Sequence, residues 1–95
     1  VNDEKITIES FALYQNYPNP FNPNTKISWQ SPYGGYQTLK VYDILGREVT
    51  TLIDEYRDAG KYEIEFNASQ LSSGIYFYQL KTENFVDTRK MILLR

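Results

Sequence analysis

Lys61 to Asn67 alternates without a break, with Tyr62, Ile64 and Phe66 set against Lys61, Glu63 and Glu65. A two-residue period places one set on a buried face and the other in water, which is the signature of a half-exposed β-strand. The same period recurs from Thr25 to Ser31, where Ile27 and Trp29 oppose Lys26, Ser28 and Gln30, and from Tyr36 to Tyr42, where Leu39 and Val41 oppose Lys40. No stretch carries a helical period. Nine Tyr, five Phe and one Trp, 16% of the chain, suit pleated surfaces, where aromatic rings pack well.

Breaks between these runs are chemically explicit. Pro18-Asn19-Pro20-Phe21-Asn22-Pro23 forbids a helix and a central strand, so it reads as an ordered loop with Phe21 as its large apolar anchor. A short edge strand, Phe11 to Tyr17, precedes it. Asp43-Ile44-Leu45-Gly46 has the chemistry of a type I turn closed by a left-handed Gly46, with Arg47 to Ile53 returning as the hairpin partner. Asp54 to Gly60 reads as a polar loop. Ile75 to Thr82 and Phe85 to Leu94 form a closing hairpin around Glu83-Asn84. A two-residue loop sets Tyr76 opposite Met91, and an odd-length loop moves every pair by one position. Gly74-Ile75-Tyr76 opens the late strand where a tyrosine corner closes a sandwich. Val1 to Ser10 is polar and reads as a linker tail, with a short extended stretch near Ile6 and Ile8; the domain spans 11–95.

Seven short strands in 95 residues indicate one all-β domain, an Ig-like antiparallel β-sandwich, with a small antiparallel barrel as the alternative. The chain lacks an initiator Met and a signal peptide, so it reads as part of a longer protein. No stretch is long enough to span a bilayer, and membrane insertion is not expected.

The chemistry points away from catalysis. With no His and no Cys, the usual ligands of zinc, copper, haem and iron–sulfur centres are missing, and no cofactor or metal is expected. No Ser sits in a Gly-flanked elbow, and Glu63 and Glu65 alternate with core residues as a solvated face does. Asp54, Glu55 and Asp58 share the predicted loop at spacings unlike a calcium-binding EF-hand loop. A net charge of −2 gives no field to steer the domain onto nucleic acid. Tyr33, Tyr36 and Tyr56 near loops could stack on sugars, which keeps a carbohydrate- or protein-binding module as the second reading.

The tail stands apart. Lys90-Met91-Ile92-Leu93-Leu94-Arg95 puts four consecutive apolar residues between bases. It fits a last strand buried on both faces, yet an edge so hydrophobic invites pairing. A receptor could read it by strand addition or by capturing Arg95 and its carboxylate.

Four blocks carry a resemblance to a known family: 13–23 (Leu-Tyr-Gln-Asn-Tyr-Pro-Asn-Pro-Phe-Asn-Pro), 39–49 (Leu-Lys-Val-Tyr-Asp-Ile-Leu-Gly-Arg-Glu-Val), 71–80 (Leu-Ser-Ser-Gly-Ile-Tyr-Phe-Tyr-Gln-Leu) and 89–95 (Arg-Lys-Met-Ile-Leu-Leu-Arg). In order and at domain-length spacing, they resemble the type A C-terminal sorting domains of the type IX secretion system. The resemblance implies a non-catalytic signal attached to an upstream cargo domain. It implies that the outer-membrane translocon and its shuttle protein read the final strands, and that a sortase-like protease cuts in or before Val1 to Phe11. Cargo would then reach the cell surface or the medium by way of the periplasm. Mapped here, the recognition element is Ile75 to Arg95, with Lys90, Met91, Ile92, Leu93, Leu94 and Arg95 foremost. Pro18, Asn19, Pro20, Phe21, Asp43, Gly46, Gly74 and Tyr76 are the structural motif residues. One departure is Arg95, where the family frequently has Lys; guanidinium and ammonium differ at a specific contact.

Overall fold

A computed structural model describes residues 7–95. It contains seven strands and no helix: β1 (Ala12–Leu13), β2 (Asn24–Ser31), β3 (Gly35–Tyr42), β4 (Glu48–Arg57), β5 (Gly60–Asn67), β6 (Gly74–Lys81) and β7 (Val86–Leu93). They form two antiparallel sheets, one in the order β1-β2-β5 and the other β4-β3-β6-β7. The expected β-sandwich is therefore present. Its fourth strand stays beside the third, unlike the constant-type immunoglobulin order, in which the fourth strand joins the first sheet.

The hairpin turn explains that placement. The Asp43 carbonyl accepts the Gly46 amide at 2.9 Å, and one Asp43 carboxylate oxygen accepts the Leu45 and Arg47 amides, each at 2.9 Å. Gly46 has φ +82°, a conformation that favours glycine. So tight a turn keeps β4 against β3. Two register shifts follow, between Leu39 and Lys40 and between Val41 and Tyr42, and they kink the ladder.

The inward residues of the alternating segments meet between the sheets. Leu13, Phe21, Ile27, Trp29, Leu39, Val41, Ile53, Phe66, Tyr78, Leu80, Met91 and Leu93 are buried there. Trp29 is a core residue stacked on its cross-strand neighbour Tyr62 at 5.6 Å. Its indole N–H donates to Gln37 Oε1 at 3.1 Å, and the Gln37 amide donates to Ser31 Oγ at 2.6 Å. The polar groups buried here are therefore paired, as a core requires.

Two expectations need correction. The first strand is two residues long rather than running from Phe11 to Tyr17. Asn16 turns inward to donate to Thr25 Oγ1 and the Pro18 carbonyl, leaving Tyr17 only an isolated bridge to Lys26. The polar stretch from Asp54 is not a loop: β4 continues to Arg57, with Asp54, Glu55 and Tyr56 paired to Thr38, Gln37 and Tyr36. An edge strand tolerates charge, and charge in sequence imitates a loop. Thr7–Ser10 join neither sheet, and Ile6, in the expected extended stretch, lies outside the described residues.

Candidate functional site

The closing hairpin adopts the two-residue-loop register. Tyr76 lies opposite Met91, Ile75 opposite Ile92 and Phe77 opposite Lys90, with the Thr82 amide donating to the Phe85 carbonyl at 2.8 Å. Met91 and Leu93 are each 0% exposed and point into the core. Lys90 and Leu94 are exposed, the latter by 54%, and Ile92 is half-buried. The tail is thus divided: alternate residues hold the sandwich together, and the others lie toward solvent.

The edge of β7 is occupied. β7 ends the four-stranded sheet, so its outward main-chain row has no further strand to pair with. The proline-rich segment supplies the partners instead. The Phe21 amide donates to the Ile92 carbonyl at 2.9 Å, and the Leu94 amide donates to the Phe21 carbonyl at 3.0 Å. Asn19 Oδ1 accepts the Ile92 amide at 2.9 Å, and Gln15 Nε2 donates to the Lys90 carbonyl at 2.7 Å. Phe21 bridges Leu93 in parallel, and its ring, 2% exposed, packs 6.3 Å from Phe66. Pro18, Asn19 and Pro20 lie exposed above this anchor.

Arg95 is engaged as well. Its guanidinium donates to the Leu71 carbonyl at 2.6 Å and the Ser69 carbonyl at 2.8 Å, with the Ala68 carbonyl at 3.5 Å; its amide donates to Ser73 Oγ at 2.9 Å. Within the same connection, Tyr76 donates its hydroxyl to the Ser72 carbonyl, four residues upstream, at 2.8 Å. Gly74 is exposed and opens β6 opposite Leu93. The last base and the tyrosine thus brace one turn between β5 and β6.

Tyr78 ties the hairpin to the chain's entry, donating its hydroxyl to the Tyr14 carbonyl at 2.7 Å. Burial pushes its phenol up to about 12. At the turn between β3 and β4, the backbone amide of Arg47 is the main cause that holds the Asp43 carboxyl below its usual range.

The chain enters and ends at opposite poles. Phe11 stacks on Phe85 at 5.0 Å and meets Tyr33 edge-on at 5.3 Å, where β7 begins. Arg95 lies where β7 ends, about 25 Å away along an eight-residue strand.

Among the described residues, no group of three or more acids gathers as metal ligands would. Asp54 accepts the Tyr36 hydroxyl, and Glu55 pairs with Arg57 at 2.9 Å. Tyr36 and Tyr56 are cross-strand neighbours on the outer face of β3 and β4, exposed by 58% and 62%. Tyr33 is not with them, because its ring meets Phe11 and its hydroxyl accepts from Asn84 at 3.1 Å.

Sequence reasoning missed Gln15 and Asn16. The available signal was the run of side-chain amides among prolines. Prolines offer no N–H, and here the side-chain amides of Gln15 and Asn16 donate to the Lys90 and Pro18 carbonyls.

The family model described as "Secretion system C-terminal sorting domain" matches residues 15–94. A search of curated proteins found no match. Among solved structures, the chain is similar to PorZ, described as an essential bacterial surface component of the type-IX secretion system of Porphyromonas gingivalis. The identity is 19% and the TM-score 0.60, over 87% of this chain and 11% of that one. This likeness concerns the fold, and the chain spans about a tenth of that protein's length.

Proposed function

Because this chain belongs to the C-terminal sorting domain family of the type IX secretion system, we propose that it delivers an attached upstream cargo across the outer membrane to the cell surface or the medium. The family match over most of the chain carries this reading. The geometry supports it: Phe11, next to the expected linker, packs where β7 begins, at the other end of that strand from Arg95. In this reading the domain is a non-catalytic address. The translocon, an outer-membrane shuttle protein and a sortase-like protease are its partners, and the protease acts in the linker before Phe11. Phe11 is the first residue with aromatic partners, which supports a linker of 1–10 and a domain of 11–95.

The tail is read through its outward residues. Lys90, Ile92 and Leu94 offer a charge and two apolar groups on the open face of the hairpin, whereas Met91 and Leu93 hold the fold and Arg95 braces the β5–β6 connection. Deleting Lys90 to Arg95 would therefore remove core as well as address. A cleaner experiment fuses the chain to a periplasmic passenger in a bacterium carrying the machinery. The unaltered fusion reaches the surface or medium, and the folded Lys90→Glu/Leu94→Asp variant stays in the periplasm. An unaltered fusion held in the periplasm would defeat the sorting reading. Delivery of the variant at normal level would defeat the assignment of these residues.

The exposed Tyr36/Tyr56 pair favours a second reading, a glycan-binding module. Saturable binding of the chain to a polysaccharide, lost in Tyr36→Ala/Tyr56→Ala, supports it; no binding across a glycan panel removes it.

A further inference from the structure

Tyr36 on β3 and Tyr56 on β4 are cross-strand neighbours that leave more than half of each side chain in water. Ordering so exposed a side chain ordinarily costs free energy when a ligand binds. Here each ring is already held. The Tyr36 hydroxyl donates to Asp54 Oδ1 on β4. By accepting that bond, the Asp54 carboxylate holds the Tyr36 phenol above its ordinary range. Tyr56 reaches the other way, and its hydroxyl end lies over Gly34, just before β3. Both rings therefore lie across the sheet instead of standing off it.

Gly34 serves the ring and not the backbone. Its φ is not positive, so no left-handed conformation asks for glycine there. A β-carbon at 34 would overlap the Tyr56 hydroxyl and come to 3.0 Å from the ring carbon that bears it. The close approach of Tyr56 is what requires the missing side chain.

Beside Tyr36 the same face opens into a cleft of about 510 Å³, lined by Tyr36, Thr38, Lys40, Lys81, Thr82 and Glu83. Clefts that take small molecules run to roughly 300–1,000 Å³. Thr38 and Lys81 are cross-strand neighbours within it. Hydroxyl, ammonium and carboxylate groups give the cleft both donors and acceptors. Its charges balance: Lys40 pairs with Glu48 at 3.4 Å, and Lys81 and Glu83 bring one charge of each sign. At the Tyr36 hydroxyl, Asp54 adds a further carboxylate.

We infer that Tyr36, Tyr56 and the cleft beside them form one binding site for an uncharged saccharide, with Gly34 as the positioning residue for the Tyr56 ring. The C–H face of a sugar packs on an aromatic ring, and its hydroxyls donate and accept as the cleft does. An acidic saccharide would meet Asp54 and Glu83 with no excess of bases to offset them. The site rests on the glycan-binding reading above and not on the sorting one; it adds the charge class of the sugar and the means by which the rings are set.

The test titrates the 95-residue chain with cellohexaose, xylohexaose, mannohexaose and hexagalacturonate, followed by amide NMR and calorimetry. At least one neutral hexasaccharide binds saturably and shifts amides at 34–38, 56 and 81–83. Hexagalacturonate binds at least about tenfold more weakly. Gly34→Ala pushes the Tyr56 ring aside and weakens binding about tenfold, with the β6 and β7 amides unmoved. Tyr36→Phe keeps the ring, frees it from Asp54 and weakens binding about threefold. Unchanged affinity in Gly34→Ala, or in Tyr36→Phe if the first variant does not fold, would overturn the preset platform. Hexagalacturonate bound as tightly as the neutral sugars would overturn the charge class. Saturable binding with shifts confined to other residues would remove this site and leave the glycan-binding reading standing; no binding of any neutral hexasaccharide would remove both.

Discussion

β5 and β7 both lie at the margin of a sheet, yet they are built on opposite plans. β5 alternates strictly, so its charges face water, and among the described residues no main-chain bond runs along its outward edge. β7 ends in consecutive apolar residues and takes its cover from a segment some seventy residues earlier in the chain. A strand that carries its own charges is soluble wherever it sits. A strand rich in core residues holds the sandwich more firmly but needs protection from elsewhere in the fold.

This contrast can be broken most severely at Phe21. Phe21→Ala removes a buried ring and the anchor of the cover together, and is expected to cost about 3–5 kcal/mol. Urea unfolding measures this, and a loss under 1 kcal/mol would mean that the proline-rich segment is not fastened through its ring. Next comes alkaline pH, which acts through Tyr78 on β6. Its phenol is raised to about 12 against an ordinary value of 10. The neutral form is thus favoured by folding, and the stability it contributes is complete below pH 10 and lost as pH rises from 10 to 12. Thermal unfolding across that range should show a decline that Tyr78→Phe removes, and an identical decline in that variant would exclude Tyr78 as its source.

Smaller changes sharpen the comparison. Tyr76→Phe deletes the hydroxyl bond to Ser72 and should destabilise by about 1–2 kcal/mol without altering the hairpin register, which amide exchange on β6 and β7 can check. Arg95→Lys keeps the charge but gives up the planar fork over the Ser69 and Leu71 carbonyls, for a loss of about 0.5–1 kcal/mol. Equal stability in denaturant would mean that charge alone suffices there. The smallest effect belongs to β5: Glu63→Ala on its solvated face should stay within about 0.5 kcal/mol. A larger loss would remove the contrast between the two strands.

Much of this architecture was legible in the residues. Lys61–Asn67 behaves in the structure as its alternation indicates, because a period of two admits a single assignment of faces. Trp29 is core for the same reason, and the Asp43–Gly46 turn follows from local chemistry between neighbours. The acidic end of β4 was not legible, since a charged edge strand and a loop share one composition. The family resemblance was readable from four ordered blocks, and the family model agrees.

The candidate site divides along the same line. That the tail combines core with surface was implicit in its apolar run, but the parity that buries Met91 and Leu93 and leaves Lys90 and Leu94 outside depends on the length of the Glu83-Asn84 loop, which composition leaves open. Which groups Gln15, Asn19 and Arg95 meet was beyond reach, because each bonds main-chain groups more than twenty residues away.

By itself, the order of residues determined which segments extend, which side of each is apolar and where the chain turns, since these depend on near neighbours and on a two-residue repeat. Only the packed molecule decided which strand lies at the margin, which half of that strand is covered, and that a proline-rich stretch near the start covers it. Main-chain donors and acceptors are the same at nearly every residue, so which of them meet is decided by how the sheets close in space.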